Sequence, residues 1–231
     1  MQIVVSHLTR MQPGYICVAG LDRKTGAHVR PVLNRRLPVN LLKSQGGPFE
    51  IGGLVDLGGV KHVGHRPEVE DYLFDASQTR LLKRLDSTEF WKLLSSSTAP
   101  DLTKIFGADL EPQGNGCAVV PGKGSASLGC LAIDRATLGV DPWQKIRLRF
   151  SSGKFQIELS VTDIRLVDSD FKTPNEKNIQ KASSKLAKKV PAIICIGLAR
   201  AWQKPGDDRQ RHWLQVNNIH FSDDPLGLKL P

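Results

Sequence analysis

Long apolar runs broken by polar, glycine-bearing turns dominate this chain, and they predict strands before helices. Tyr15-Ile16-Cys17-Val18-Ala19-Gly20-Leu21 is almost wholly apolar and rich in β-formers. The polar turn Asp22-Arg23-Lys24-Thr25-Gly26 follows, and His28-Val29-Arg30-Pro31-Val32 then alternates polar and apolar. A buried strand, a turn and a half-exposed return strand make a β-hairpin, in which His28 and Arg30 are expected to face outward. Near the C-terminus Ala192-Ile193-Ile194-Cys195-Ile196-Gly197-Leu198 again runs apolar into Gly-Leu. After a turn at Pro205-Gly206 comes His212-Trp213-Leu214-Gln215-Val216. The shared pattern predicts one such hairpin in each half of the chain, with Cys17 and Cys195 as buried counterparts.

The clearest alternation lies at residues 146–161. With Ser152-Gly153 as a two-residue loop, Phe150 faces Phe155, Leu148 faces Ile157 and Ile146 faces Leu159, while Arg147 opposes Glu158 on the other side. Further strands are expected at residues 3–5, 117–120, 128–133 and 164–167. Gly52, Gly53, Gly58 and Gly59 mark a bulged strand over residues 49–60. Asp75 precedes a helical spacing of Leu81, Leu82 and Leu85, and Asp86 or Ser87 opens a second helix with Phe90, Leu93 and Leu94 inward. Asp101 to Phe106 is a short helix ending at Gly107. Thr173-Pro174-Asn175-Glu176 starts the last helix, with Thr173 as cap and Pro174 in the first position. Its Ile179, Ala182, Leu186 and Val190 face inward, opposite Lys177, Lys181, Lys185 and Lys188.

Strands, helix, strands, twice over, is the layout of the OB-fold. The expected fold is mainly β with helical insertions, as two OB-like small barrels packed together. Residues 1–140 form the first barrel, with a helical insertion over residues 75–107, and residues 141–231 form the second, with one helix over residues 174–189.

Several stretches resemble a known family. They are Val4-Val5-Ser6-His7-Leu8-Thr9-Arg10-Met11, Ile16-Cys17-Val18-Ala19-Gly20 and His28-Val29-Arg30-Pro31-Val32, with Ser127-Leu128-Gly129 and Ser160-Val161-Thr162-Asp163. Together they look like the bacterial dual OB-containing domain family, over nearly the whole chain. The resemblance implies two OB barrels and, by analogy, a connection to nucleic acid. It carries no catalytic set, and a fold alone does not establish a function.

Composition sharpens this. At 231 residues and 40% hydrophobic content the chain can bury a core and is not disordered. Its 32 Lys and Arg against 23 Asp and Glu leave a net charge of +9, which favours a polyanionic partner. Cys17, Cys117, Cys130 and Cys195 form no C-x-x-C pair and read as reduced core cysteines. The N-terminal segment has no charged leader and long apolar core, so it reads as a strand, and the longest apolar run is too short to span a bilayer. A reduced, cytoplasmic protein without a membrane partner is expected.

Three motifs evoke chemistry. His62-Val63-Gly64-His65 has metal-like spacing but no cysteine partners, and is expected to be a polar loop, so that no metal or other cofactor is called for. Gly122-Lys123-Gly124-Ser125 departs from the phosphate-loop spacing, because Gly116 lies one residue too far upstream and Gly124 takes the hydroxyl position. Lys123 can still touch a phosphate. His7 and Arg10 are the residue types for metal-independent RNA cleavage, with no second acid or base fixed by spacing.

The strongest cluster is His28, Arg30, Arg35 and Arg36 with Lys43, on a strand and its acid-free exit loop. An OB barrel builds its nucleic-acid face there. Aromatic residues are only 6%, with Tyr15, Tyr72, Trp202 and Trp213 the candidate stacking surfaces, which favours backbone contacts over base stacking. The sequence therefore points to non-catalytic binding of single-stranded or structured nucleic acid through phosphate contacts, at His28, Arg30, Arg35, Arg36, Lys43 and Lys123. Two alternatives stay open: a protein-binding accessory subunit of a larger defence or nucleic-acid-processing complex, and the ribonuclease.

Overall fold

The computed structural model describes residues 1–153, 155–228 and 230. In chain order its strands begin with β1 (Gln2–Arg10), β2 (Tyr15–Asp22), β3 (His28–Val32), β4 (Leu37–Pro38), β5 (Gly53–Asp56), β6 (Val60–His62), β7 (Asp71–Phe74) and β8 (Arg80–Arg84). Then come α1 (Ser87–Ser96), β9 (Thr98–Ala99), α2 (Leu102–Phe106), β10 (Glu111–Gln113), β11 (Gly116–Val119), β12 (Leu128–Ile133) and β13 (Ala136–Val140). The chain closes with β14 (Ile146–Ser152), β15 (Phe155–Ser160), α3 (Glu176–Ala187), β16 (Ala192–Leu198) and β17 (His212–Phe221).

The first sheet has the order β6-β7-β3-β2-β1-β5-β8, with β4 also on β2. The second has the order β10-β11-β17-β16-β12-β9, and β13-β14-β15 form a third. Neighbours are antiparallel except for β3–β7 and β9–β12. Both expected Gly-Leu hairpins are present, as β2–β3 and β16–β17.

Two apolar cores form. One gathers side chains from Ile3 to Leu94 and adds Cys130, Ile164, Ile193 and Cys195. The other runs from Leu102 to Leu228. The continuous run of the first core ends at Leu94 and the second core begins at Leu102. β11, β13 and one face of β12 (Leu131, Ile133) sit in the second core because β11 pairs with β17 and β12 with β16, long-range pairings that local spacing does not encode.

Four local expectations are corrected. Leu81, Leu82 and Leu85 do not make a helix. β8 pairs with β5 and alternates, Leu81 against the core and Leu82 exposed, because the open edge of β5 supplies a ladder that outweighs helix propensity. Asp75 instead caps a single 3-10 turn through Ser77 N. Asn175, not Thr173, caps α3, accepting from Asn178 N, while Thr173 bonds Asp170. Ile164–Leu166 is a 3-10 turn capped by Asp163, not a strand. In the β14–β15 hairpin Ser152 pairs with Phe155, Phe150 with Ile157 and Leu148 with Leu159. That is two residues from the expected register. A slip of two preserves the face, so Leu148, Phe150, Ile157 and Leu159 are all buried as predicted. Asp86 caps α1, with Phe90 and Leu94 buried, and α2 ends at Gly107 in a positive-φ conformation suited to glycine. Among the described residues no helix is long and apolar enough to cross a membrane.

The two halves meet along a polar seam where β1 runs past β17. Asn218 reads the backbone of Leu8 like a neighbouring strand, accepting from Leu8 N at 2.7 Å and donating to Leu8 O at 3.2 Å. Both strands bulge here. Ser6 is the extra residue between the Val5–Gly20 and His7–Ala19 pairs, and Asn217 the extra residue between the Cys195–Asn218 and Ile196–Val216 pairs. Bulges re-aim side chains, and these two bring His7 and Asn217 together.

Candidate functional site

β3 leaves the sheet into an exposed loop carrying Arg35 and Arg36. With Met11, Cys17, Arg30 and Arg200 they line a groove of about 460 Å³. Arg36 donates to Gln12 and lies 5.7 Å from the centroid of the Tyr15 ring. A second groove, of about 680 Å³, shares Met11 with the first and is lined by Arg10, Trp143, Lys145 and Lys172, among others. Among the described residues no acidic side chain lines either groove. Burial lowers Arg10 from the ordinary arginine range, against the pull of Asp170.

The return strand does not carry Arg30 and His28 outward. Arg30 is 5% exposed, on the floor of the first groove, with Nε held by Asp71 and Nη2 buried and without a hydrogen-bond partner among the described residues. Asp71 also takes Arg200 Nη2 at 2.6 Å, and Glu68 takes Arg200 Nη1 at 2.7 Å. Two acids therefore neutralise two of the groove's arginines. The physical reason is the parallel β3–β7 pairing, which sets Arg30 opposite Asp71. Lys43 is exposed but lies on a separate groove beside Glu50. Lys123 is exposed in the turn before β12 and belongs to neither basic groove. Of the six predicted contacts the structure brings together Arg30, Arg35 and Arg36.

His28 turns into the seam. Its Nε2 lies 3.6 Å from Cys130 Sγ, and its ring meets the ring of His7 edge-on at 5.4 Å. The ligand atoms of His7, His28 and Cys130 lie within 4.8 Å of one another. Cys195, the cross-strand partner of Cys130, brings its sulfur to 3.5 Å from that of Cys130. Glu70, also buried, accepts from Ser127 N, Ser127 Oγ and Leu128 N, and so fixes the start of the strand that bears Cys130. Hydrogen bonds from Cys195 and His28 hold Cys130 well below the ordinary thiol range despite burial. Burial, and the hydrogen bond to Cys130, push Cys195 well above it. Burial lowers His7, while His28, also buried, ends raised through its hydrogen bond to Cys130. The arrangement is a buried pair of sulfurs, one of which faces two imidazoles.

His7 is 1% exposed, so it does not meet Arg10 on the surface as RNA cleavage would need. His62 and His65 are exposed and bond the carbonyls of Val69 and Val63. They enter no ligand cluster among the described residues.

The sequence reading missed two features. Trp143 is 77% exposed, on a turn where Asp141 Oδ1 accepts from Trp143 N and Lys145 N. The Asp-Pro-Trp-Gln run, a turn signal with no apolar period around it, could have flagged it. The His7–His28–Cys130 convergence had no such signal, since His28 and Cys130 are 102 residues apart.

Among solved structures the chain is similar to the HINb domain of p204, at 12% identity over 94% of this chain and 95% of that one, with a TM-score of 0.36. It is also similar to a murine DNA-binding protein bound with double-stranded DNA, at 8% identity over 94% and 91%, with a TM-score of 0.34. Likeness this distant carries no argument about function. A search of curated proteins finds no match. Residues 1–219 match the dual OB-containing domain, and the chain belongs to that family.

Proposed function

We propose that the protein binds single-stranded nucleic acid across the two grooves that meet at Met11, without cleaving it. Arg10, Arg35, Arg36, Lys145 and Lys172 hold phosphates, and Tyr15 and Trp143 offer stacking faces. The observation that carries this reading is the acid-free lining of both grooves with an exposed Trp143 between basic side chains. A basic track with exposed aromatic rings is what sequence-tolerant single-strand binding uses. The net charge of +9 supports the same partner. The seclusion of His7 supports a binding role over the ribonuclease. Anisotropy of a labelled oligonucleotide tests the proposal: affinity should fall steeply with salt, and Trp fluorescence should change on binding. Absence of binding at ~50 mM salt, where the phosphate term is strong, would reject it.

A further inference from the structure

We propose that His7, His28 and Cys130 form a binding site for a zinc-class divalent ion at the seam between the two halves of the protein. This stands apart from the nucleic-acid reading and uses none of its residues as phosphate contacts.

The donor set comes from three elements, β1, β3 and β12, and converges within 4.8 Å. A tetrahedral ion with Zn–N near 2.0–2.1 Å and Zn–S near 2.3 Å has N···S edges of about 3.5 Å. The Cys130 Sγ to His28 Nε2 distance is 3.6 Å, already that edge. Two imidazoles and a thiolate suit zinc and its borderline neighbours, not magnesium or calcium, which take oxygen donors.

A second, independent observation is the orphaned atom. Among the described residues His7 Nε2 is buried with no partner at hydrogen-bond distance, Cys130 being the side chain that acts on the ring, while Nδ1 meets the Asn217 side-chain amide at 3.1 Å. Buried ring nitrogens are ordinarily satisfied, and a bonded ion satisfies this one. Ligation through Nε2 needs a proton on Nδ1, which Asn217 accepts once its amide is turned to present oxygen, a half-turn that the Gln215 amide, now donating to Asn217 Oδ1 at 3.3 Å, has to follow. Bound as a thiolate, Cys130 would offset one of the ion's two positive charges. Cys195 lies outside the 4.8 Å group and serves as the thiol neighbour of Cys130. Three protein donors leave one tetrahedral position for water or another ligand. The ion would tie β1 and β3 to β12, whose Cys130 packs in the first core while its Leu131 and Ile133 pack in the second.

The test uses the full chain, stripped with chelator under reductant and titrated with Zn²⁺ and Co²⁺. One equivalent should bind. Cobalt should give tetrahedral visible bands and a thiolate-to-cobalt charge-transfer band, and zinc should raise Tm reversibly. Cys130→Ser should abolish the charge-transfer band and weaken zinc by more than the 10–100-fold typical of losing a supporting partner. His28→Asn should weaken it by at least roughly 10-fold. Cys117→Ser and His62→Gln, outside the cluster, should leave binding unchanged. If a variant does not fold, the unmutated protein decides. Folded protein that takes up less than half an equivalent, or shows no charge-transfer band, overturns the site, as does a band that survives in folded Cys130→Ser. Recovery of a Cys130–Cys195 disulfide with no ion bound overturns it equally.

Discussion

Asp163 grips Arg165 two residues along the chain, and the pair is sealed in the seam at 0% and 2% side-chain exposure. Asp163 Oδ1 takes Arg165 N and Nε, Oδ2 takes Nη2 at 2.7 Å and Ile219 N, and Nη2 also donates to Ile219 O. One carboxylate thus joins a turn of the chain to β17. A buried pair is weak evidence of net stabilisation, but losing one partner strands a charge. Asp163→Ala should therefore cost ~3–5 kcal/mol in urea denaturation. A loss below ~1 kcal/mol would mean that water reaches Arg165 and the seam is open.

The β14–β15 register makes a sharper prediction. Arg149 lies opposite Glu158 and pairs with it, while Arg147 pairs with Asp141. A double-mutant cycle should find up to ~1 kcal/mol of coupling between Arg149 and Glu158, since Arg149 is largely exposed. Arg147 and Glu158 should show almost none. The reverse result would restore the register that the alternation alone suggests. Leu148→Ala, in either register a core truncation, should cost ~2–5 kcal/mol.

That contrast shows what was legible in the sequence. Alternation in residues 146–161 told which side chains are buried, because period two survives a slip of two. It did not tell the register, which depends on where the turn falls. Asp86 and Asp101 were legible as caps because capping is local. Leu81 and Leu82 misled because a two-leucine spacing fits a helix until β5 offers its edge. The basic loop at Arg35 and Arg36 was legible as charge and exposure. The inward turn of Arg30 and His28 was not, because Asp71 and Cys130 reach them only through tertiary pairing.

Acid should loosen the seam, and His220 gives the sign. Its ring lies between Pro225 O at 3.0 Å and Ser6 O at 3.1 Å, an arrangement that alone would favour an imidazolium. Complete burial, with Arg165 close by, outweighs this and lowers the group to about 4 from 6.5. The unfolded chain therefore takes up this proton below about pH 6.5, and the folded one not until about pH 4. The contribution is fully present above the unfolded value and is lost as pH falls through this window, by up to ~3 kcal/mol. His220→Asn should flatten the decline in unfolding free energy between pH 7 and pH 4.5 by up to about one proton's slope. An identical slope in the folded variant would show that His220 is solvated.

The basic face makes the last prediction. Arg35 and Arg36 are exposed, and among the described residues no acidic side chain lines the groove they share. If each holds a phosphate of a single strand, replacing both with Ala should reduce the log–log salt slope by about 1.4 in all, at about 0.7 per contact. Trp143 makes a different contribution. Stacking is worth ~1–3 kcal/mol per base and does not release counterions, so Trp143→Ala should weaken binding and leave the slope unchanged. The control replaces Lys177 and Lys188, exposed lysines of α3 and its C-cap that line neither groove. Both double variants remove two positive charges, so only position distinguishes them. Melting curves come first, because surface changes of this kind usually stay within about ±0.5 kcal/mol each. Equal loss in the two double variants would mean diffuse attraction to the whole protein. A slope change confined to Arg35 and Arg36, together with a slope-neutral loss at Trp143, would place the strand in the grooves that meet at Met11.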